Sequence, residues 1–451
     1  MLLCAKYILP VTAAPITDGA VRVIDNQITD IGSAETLKAR YHDDEVHDYG
    51  LSALMPGLIN LHVHLESAVL RGIVPDAPYA GWVHSVMRNS AKMDRQDRFD
   101  SAVYGGLEAL SGGITCVADI TSSGASAHAC QQLGLRGVIY REVSALDKDR
   151  VKSAMSSAHD DLMEWQSRVN SSKITLGIGA APAFALHPSV YRESANYATE
   201  NNIPMSLRLA ASKEEYMFIT RGSSAFSITI MEEKRGYVEI PPWLPTGVSP
   251  VQYVLNWGGL DAEQVLAVHC VKVNEKDILT LKSRNVAIAT CPRSNAQLGM
   301  GIAPTSEFLR SGLCVGFGSD SPAATATTDL FTEMHVGMML QRASSQNDFV
   351  TPSTMLEMAT IKAAQAIRQD HKIGSLEIGK EADIIAVDLS GAYRSHHSDP
   401  IATIINTCTG NDVTMTMVAG EILYEKSRWN VAANVAKNIA RIIEIRQKLK
   451  G

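Results

Sequence analysis

Several features are scarce in this chain of 451 residues, and each scarcity excludes a class of protein. No apolar run approaches the roughly 20 residues of a membrane-spanning helix, and the first residues, MLLCAKYIL, turn polar too early for a signal peptide. The seven cysteines have neither metal-cluster nor disulfide-framework spacing, which indicates free thiols in a reducing cytoplasm. The net charge of −7 includes no basic excess, so we expect no nucleic-acid partner and no membrane surface.

The apolar content is ample. Hydrophobic residues make up 45% of the chain and charged residues 20%, which is enough to bury a large core and to form more than one domain. This composition is typical of a metabolic enzyme, and we expect its partner to be a small-molecule substrate.

Three apolar runs end in residues that bind metals. The run at 56–63 leads into His62 and His64, which alternate along one strand and therefore point to the same side, where they can grip one cation. Residues 265–268 lead into His269, and residues 315–319 lead into Asp320. A lone His-x-His pair is often only packed at a strand end, but three such strand ends predict a site at the C-terminal mouth of a parallel barrel.

Strand-like and helical patterns divide the chain into four regions. Residues 1–54 alternate short apolar runs with turns, and residues 55–372 alternate apolar strands with amphipathic helices. The second pattern predicts an α/β fold, a (β/α)8 TIM barrel. Residues 373–425 return to strand character, and we expect them to complete a small composite β-sandwich with the first region. Residues 426–451 predict a C-terminal helix, which we interpret as a solvated surface helix.

Longer motifs carry a resemblance to a known family. The chain resembles the amidohydrolase superfamily, in its cytosine deaminase and chlorohydrolase branch, through residues 55–72, 291–299, 318–321 and 374–388. Within that branch it is most similar to aminodeoxyfutalosine deaminases, through residues 64–72, 117–126 and 241–250. The resemblance implies hydrolysis of a C–N bond with one divalent ion, zinc or iron.

The resemblance also implies roles for individual residues. It makes His62, His64 and Asp320 metal ligands, with Asp320 also taking a proton from water, and it makes His269 a residue that polarises the substrate. His269 is a further ligand if a metal is bound. Four residues are expected to contact the substrate: Glu66, Arg71, His187 and Lys272. A buried ion pair at the barrel top would explain Glu66 and Arg71 equally well, and His187 also fits an ordinary histidine.

The strand-five motif departs from the family. The His-x-x-Glu pattern falls on Arg208 and Ala211, so a metal ligand and a proton-shuttling carboxylate are both replaced. Arginine has no lone pair to offer, and its repulsion of a divalent ion at about 4 Å and an effective dielectric of about 20 is on the order of 8 kcal/mol. We expect Arg208 to point into the mouth, to pair with Asp320, and to leave the metal weakly bound or absent; an outward Arg208 would leave the other ligands usable.

Two classes of function follow. The first is a hydrolase of a small aminated heterocycle or nucleoside-like molecule, in which Arg208 stabilises developing negative charge. The second is a metal-free derivative that catalyses a different reaction or only binds a ligand. Ordinary deamination is not expected, because a missing general acid–base group costs roughly 100-fold to 10,000-fold. The resemblance further implies a homodimer.

Overall fold

The computed structural model describes residues 1–169, 171–226, 245–345, 348–391, 394 and 398–450. Part of the family motif at 241–250, residues 241–244, therefore lies outside the described residues. In the described ranges no helix has both the length and the apolar character needed to cross a membrane.

Seventeen strands form two sheets in the part of the chain that the structure describes. Their bounds are β1 (Leu2–Ile8), β2 (Ile16–Ile24), β3 (Gln27–Ser33), β4 (Val46–Asp48), β5 (Ser52–Pro56), β6 (Leu58–Val63), β7 (Ile114–Thr121), β8 (Arg136–Val143), β9 (Ile174–Ala180), β10 (Met205–Leu209), β11 (Val265–His269), β12 (Ala287–Thr290), β13 (Val315–Phe317), β14 (Ile384–Asp388), β15 (Val413–Val418), β16 (Glu421–Glu425) and β17 (Arg428–Trp429).

Helices connect and cover these strands. Their bounds are α1 (Ala34–Arg40), α2 (Tyr79–Ser90), α3 (Arg95–Ser111), α4 (Ala125–Leu133), α5 (Lys148–Arg168), α6 (Ser189–Glu200), α7 (Lys213–Arg221), α8 (Pro250–Asn256), α9 (Glu275–Ser283), α10 (Pro292–Gln297), α11 (Thr305–Arg310), α12 (Pro322–Thr325), α13 (Leu330–Ser344), α14 (Pro352–Ala359), α15 (Ile361–Ala366), α16 (Pro400–Thr407) and α17 (Val435–Lys450). Short 3₁₀ turns span Leu65–Leu70, Ala183–Ala185 and Gly410–Asp412.

Strands β6 to β13 form the predicted barrel. They are parallel and follow one another in chain order, and a bridge between Val63 and Asp320 brings the last strand back to the first. The strands read as continuous apolar runs because helices outside and side chains inside cover both of their faces; every residue of β7, for example, is buried. The (β/α)8 expectation is confirmed.

The remaining strands form one mixed sheet from both ends of the chain. Its order is β17-β16-β15-β14-β5-β1-β2-β3, with β4 beside β1. The antiparallel pairing of β5 with β14 joins the two ends, with Met55 opposite Ile385. One hydrophobic cluster contains residues of both halves, such as Leu3 and Met415. A β-domain built from both chain ends is thus confirmed, in the form of one mixed sheet.

The C-terminal helix is not the solvated helix that we predicted. Three apolar residues of α17, Ile442, Ile445 and Leu449, are buried, and they join the cluster that covers the barrel mouth. Their spacing of three and four residues places them on one helical face. Arg446 extends the contact by donating hydrogen bonds to the carbonyl oxygens of Val69 and Arg71. The helix therefore packs beside the rim of the barrel.

Candidate functional site

The four strand-end residues meet at one point. His62 Nε2 lies 3.5 Å from Asp320 Oδ1, and His64 Nε2 lies 3.6 Å from the same oxygen. Ligand atoms of His62, His269 and Asp320 all lie within 4.8 Å of one another. The structure thus brings together His62, His64, His269 and Asp320 at the carboxyl ends of β6, β11 and β13.

Unusual backbone conformations turn these side chains inward. Asp320 has a φ of 57° and His269 a φ of 75°, both in the left-handed region that residues other than glycine rarely adopt. Gly318 is required by a close approach, because a Cβ added there would lie 2.7 Å from Cβ of His62. Strained residues of this kind concentrate at functional sites.

A buried amide locks the first barrel strand to the last. Asn60 Nδ2 donates to Ser319 Oγ at 2.7 Å, and the Ser319 backbone N–H donates to Asn60 Oδ1 at 3.0 Å. Both side chains are fully buried. Because these hydrogen bonds join β6 to the residues after β13, they fix His62 relative to Asp320.

Two further buried residues orient the site, and the sequence interpretation missed both. The Ser294 hydroxyl donates to Asp320 Oδ2, and Asn295 Oδ1 lies 3.0 Å from Nδ1 of His269. An amide oxygen accepts, so His269 donates from Nδ1 and turns its Nε2 toward the site. Both residues lie within the stretch 291–299 that carried the family resemblance, which was the available signal.

Burial sets the protonation of the site. It lowers the pKa of His62 and of His269 and, together with the neighbouring His62, lowers the pKa of His64 to about 3. Burial opposes ionisation of Asp320, but the surrounding imidazoles outweigh it and hold the pKa of that carboxyl well below its usual value. The carboxyl of Asp320 is therefore ionised beside imidazoles whose pKa values lie below their usual range.

Arg208 does not pair with Asp320, so that expectation was wrong. It lines the cavity as predicted, but its guanidinium forms an ion pair with Glu142, near the end of β8. Burial opposes the charge of Arg208, but Glu142, with smaller effects of Tyr79 and Asp320, outweighs it, so the pKa of Arg208 is raised. Asp320 instead accepts a hydrogen bond from the Ser294 hydroxyl and lies beside the imidazoles of His62 and His64.

The residues present fit a divalent cation. Three imidazoles and a carboxylate are a donor set that zinc and iron accept, and His62 Nε2 is buried without a hydrogen-bond partner among the described residues. The repulsion expected from Arg208 is offset because Glu142 neutralises the guanidinium. The ligands would be His62, His64, His269 and Asp320.

A cavity of about 440 Å³ opens above these residues. Its volume lies within the range of about 300–1,000 Å³ that is typical of small-molecule sites. Tyr79, Trp82 and Phe184 form an aromatic wall that the sequence did not single out. Glu66 also lines the cavity, where it accepts hydrogen bonds from Thr121 and Ser123, and burial raises its pKa.

Three other residues expected to contact the substrate are not among the described residues that line this cavity. Arg71 forms an ion pair with Glu108. His187 Nδ1 contacts Ser189 Oγ at 2.8 Å. Lys272 lies so close to Gly301 that a Cβ there would be 2.8 Å from Nζ.

Helix α7, which follows barrel strand β10, contains a carboxylate that accepts hydrogen bonds from the backbone just before the helix. Glu215 is buried and accepts the N–H groups of Ala210 at 3.0 Å and Ala211 at 2.8 Å. Burial raises the pKa of Glu215 to about 7, against the opposing effect of these hydrogen bonds. Glu215 is not among the residues that line the cavity, so it does not take the place of the missing carboxylate at 211.

Comparison with known proteins agrees with this geometry. The chain is 27% identical over 426 residues to a 5-methylthioadenosine/S-adenosylhomocysteine deaminase of Symbiobacterium thermophilum, covering 92% of each chain. It is 28% identical over 419 residues to the enzyme of the same name from Moorella thermoacetica, again covering 92% of each chain.

Solved structures show the same fold. A zinc-bound adenosine deaminase from Xanthomonas campestris matches with a TM-score of 0.84 and 22% identity, covering 100% of this chain and 98% of that one. Aminofutalosine deaminase from Helicobacter pylori, bound to methylthio-coformycin, matches with a TM-score of 0.79 and 18% identity, covering 93% and 99%. Residues 53–423 match the amidohydrolase family, and this chain belongs to that family as a deaminase-like enzyme.

Proposed function

We propose that this protein hydrolyses a C–N bond of a small aminated heterocycle or nucleoside-like molecule, at a site that differs from that of an ordinary adenosine-type deaminase. The observation that carries the proposal is one cavity. It is lined by the metal-ligand-type residues His64, His269 and Asp320, by the aromatic wall and by the Arg208–Glu142 ion pair. The curated relatives are named as deaminases of adenine-containing molecules, which supports the substrate class.

A divalent cation held by His62, His64, His269 and Asp320 would supply Lewis acidity at the floor of the cavity. The chain itself supplies the rest. Asp320 is held ionised and hydrogen-bonded to Ser294, and it is placed to accept a proton. The aromatic wall excludes water and holds a flat ring.

The chain lacks an acidic group at position 211 that could protonate a ring nitrogen of the substrate. Ala211 has no acidic proton, and Arg208 keeps its proton at physiological pH. Arg208 can only stabilise negative charge by its fixed position. We therefore expect ammonia release from adenosine-type substrates to stay below about 1 per second, the low end of typical enzymes.

The second candidate function is ligand binding without hydrolysis, and the same replacement of the strand-five residues favours it. Metal analysis and turnover separate the two. Purified protein should hold close to one zinc or iron ion, His269→Ala should lower that occupancy, and the exposed His159→Ala should not.

Turnover completes the test. Ammonia release is measured from adenosine, 5′-methylthioadenosine, S-adenosylhomocysteine and aminodeoxyfutalosine, and then from smaller amino-heterocycles, with zinc, iron or manganese. Slow but metal-dependent release, lost in His269→Ala, supports the hydrolase. Bound ligand without any release favours the second candidate.

A further inference from the structure

The Arg208–Glu142 pair is only partly covered by protein. The side chain of Arg208 is 19% exposed and that of Glu142 is 25% exposed, and both line the cavity. Surface left open on the two partners is therefore available to a bound molecule. A pair that served only to tie β8 to β10 would not need to face the cavity.

The pair has hydrogen-bonding capacity to spare. Its hydrogen bond joins Arg208 Nη2 to Glu142 Oε1, whereas a guanidinium has five N–H donors and a carboxylate accepts several hydrogen bonds. Arg208 Nε is buried, so the donors left for a bound molecule are the remaining N–H groups at the exposed end of the guanidinium. The cavity wall thus offers a donor and an acceptor side by side.

Charge decides which ligands suit this wall. A carboxylate ligand would satisfy Arg208 but face Glu142, and an ammonium ligand would do the reverse, so each would leave a like charge nearby. A neutral ring edge with an N–H donor next to a nitrogen or oxygen acceptor satisfies both partners at once. The aromatic wall of Tyr79, Trp82 and Phe184 suits the flat faces of such a ring.

We propose that Glu142 and Arg208 together are the specificity determinant of this cavity and read the donor–acceptor edge of a neutral heterocycle, such as the amidine or lactam edge of a purine. Glu142 accepts from the N–H donor of that edge, which is the exocyclic amino group of an amidine or the ring N–H of a lactam, and Arg208 donates to the adjacent ring nitrogen or carbonyl oxygen. This inference deepens the proposed function, because it names the substrate feature that the same site selects.

The test compares two nucleosides that carry no amino group and so cannot release ammonia. Inosine has an N1–H donor beside its O6 acceptor, and 1-methylinosine lacks that donor. Calorimetric titration of the purified full-length protein should show that inosine binds at least about tenfold more tightly than 1-methylinosine, as expected for a hydrogen bond to a charged group.

Variants separate hydrogen bonding from steric fit. Glu142→Gln keeps the size of the side chain but replaces the charged acceptor with a weaker, neutral amide oxygen, so the preference for inosine should shrink; a purely steric preference would keep its size. Asp161→Asn breaks the neighbouring Arg141–Asp161 ion pair outside the cavity and should leave the preference intact. Arg208→Lys retains the charge and should weaken both nucleosides, because it loses the planar fork of donors.

Three outcomes would overturn the proposal: equal binding of the two nucleosides by the natural protein, a preference of undiminished size in Glu142→Gln, or no inosine binding at millimolar concentration. If Glu142→Gln does not fold, as judged by circular dichroism, unchanged nucleoside affinities in Arg208→Lys overturn it instead. A separate result would reject the proposed hydrolysis without rejecting this recognition role. Inosine preference without any metal-dependent ammonia release would reject hydrolysis and keep the recognition role.

Discussion

Nδ1 of His269 lies 3.0 Å from Oδ1 of Asn295, and both side chains are buried. The contact joins the end of β11 to helix α10, the segment after β12. Because Nδ1 is held in this way, Nε2 is the nitrogen that His269 has left for the cluster it forms with His62 and Asp320. An outer contact of this kind sets how well a ligand histidine binds.

Asn295→Leu should lower zinc affinity about 10-fold to 100-fold, the usual cost of losing such an orienting partner. Competition against a zinc-binding dye measures the change. Asn256→Leu, at an exposed asparagine on α8, serves as the control and should bind zinc like the natural protein. Equal zinc affinity in the two variants would show that Asn295 does not orient His269.

The buried arginine between the two sheets should be a major source of stability. Arg136 is 2% exposed and pairs with Asp383, at 2.9 Å, and Glu381, at 2.7 Å. Arg136→Met strands Asp383 without its partner and should lower the free energy of unfolding by about 3–5 kcal/mol. Chemical denaturation measures this.

The matched control is an ion pair that joins the same two sheets but lies at the surface. Lys173 pairs with Glu421 at 3.4 Å, and Glu421 is 65% exposed. Lys173→Met should cost no more than about 1 kcal/mol. A loss of similar size in both variants would mean that burial does not govern the strength of the Arg136 pairs.

Glu215 should make stability fall as pH rises. Its pKa is raised from 4.5 to about 7 by burial, so between these values the folded state binds a proton that the unfolded state has lost. Stability therefore declines through that window, by on the order of 3 kcal/mol over its full width.

Glu215→Gln removes the titrating group and should flatten this decline, whereas Glu214→Gln, at the half-buried neighbour, should keep it. Urea denaturation between about pH 4.5 and pH 7 measures the slope. The same slope in Glu215→Gln as in the natural protein would assign the pH dependence to other groups.

Restoring the family motif should restore family chemistry. Arg208→His with Ala211→Glu supplies the missing ligand and proton shuttle, and adding Glu142→Gln avoids a carboxylate left without its guanidinium. We expect tighter zinc binding and at least about 100-fold faster ammonia release from adenosine. If the natural protein already binds zinc tightly and neither variant gains affinity or rate, our account of Arg208 is wrong.

Much of the fold could be predicted because its signals are local. The apolar runs leading into His62, His269 and Asp320 reveal strands, strand ends and ligand types within a few residues. The return of strand character after residue 373 likewise reveals a second sheet. The spacing of Ile442, Ile445 and Leu449 also indicates one apolar helical face. We nevertheless predicted a solvated helix there, so the signal for burial was present and was not used.

The partners of the site residues could not be predicted in the same way. Glu142 meets Arg208 only because β8 and β10 are two strands apart in the closed barrel, and nothing near position 142 identifies that partner. The aromatic wall similarly combines α2 with the loop after β9. Contacts of this kind depend on barrel geometry, which no short stretch of sequence encodes.

The pairing of β5 with β14 has a consequence for biosynthesis. Strands β1–β5 leave the ribosome first, yet the edge of β5 that accepts β14 stays uncovered until the whole barrel has been made. An open strand edge is a template for association with other chains. The nascent chain is therefore most vulnerable to aggregation in the interval between barrel closure and arrival of β14, and chaperone demand should concentrate there.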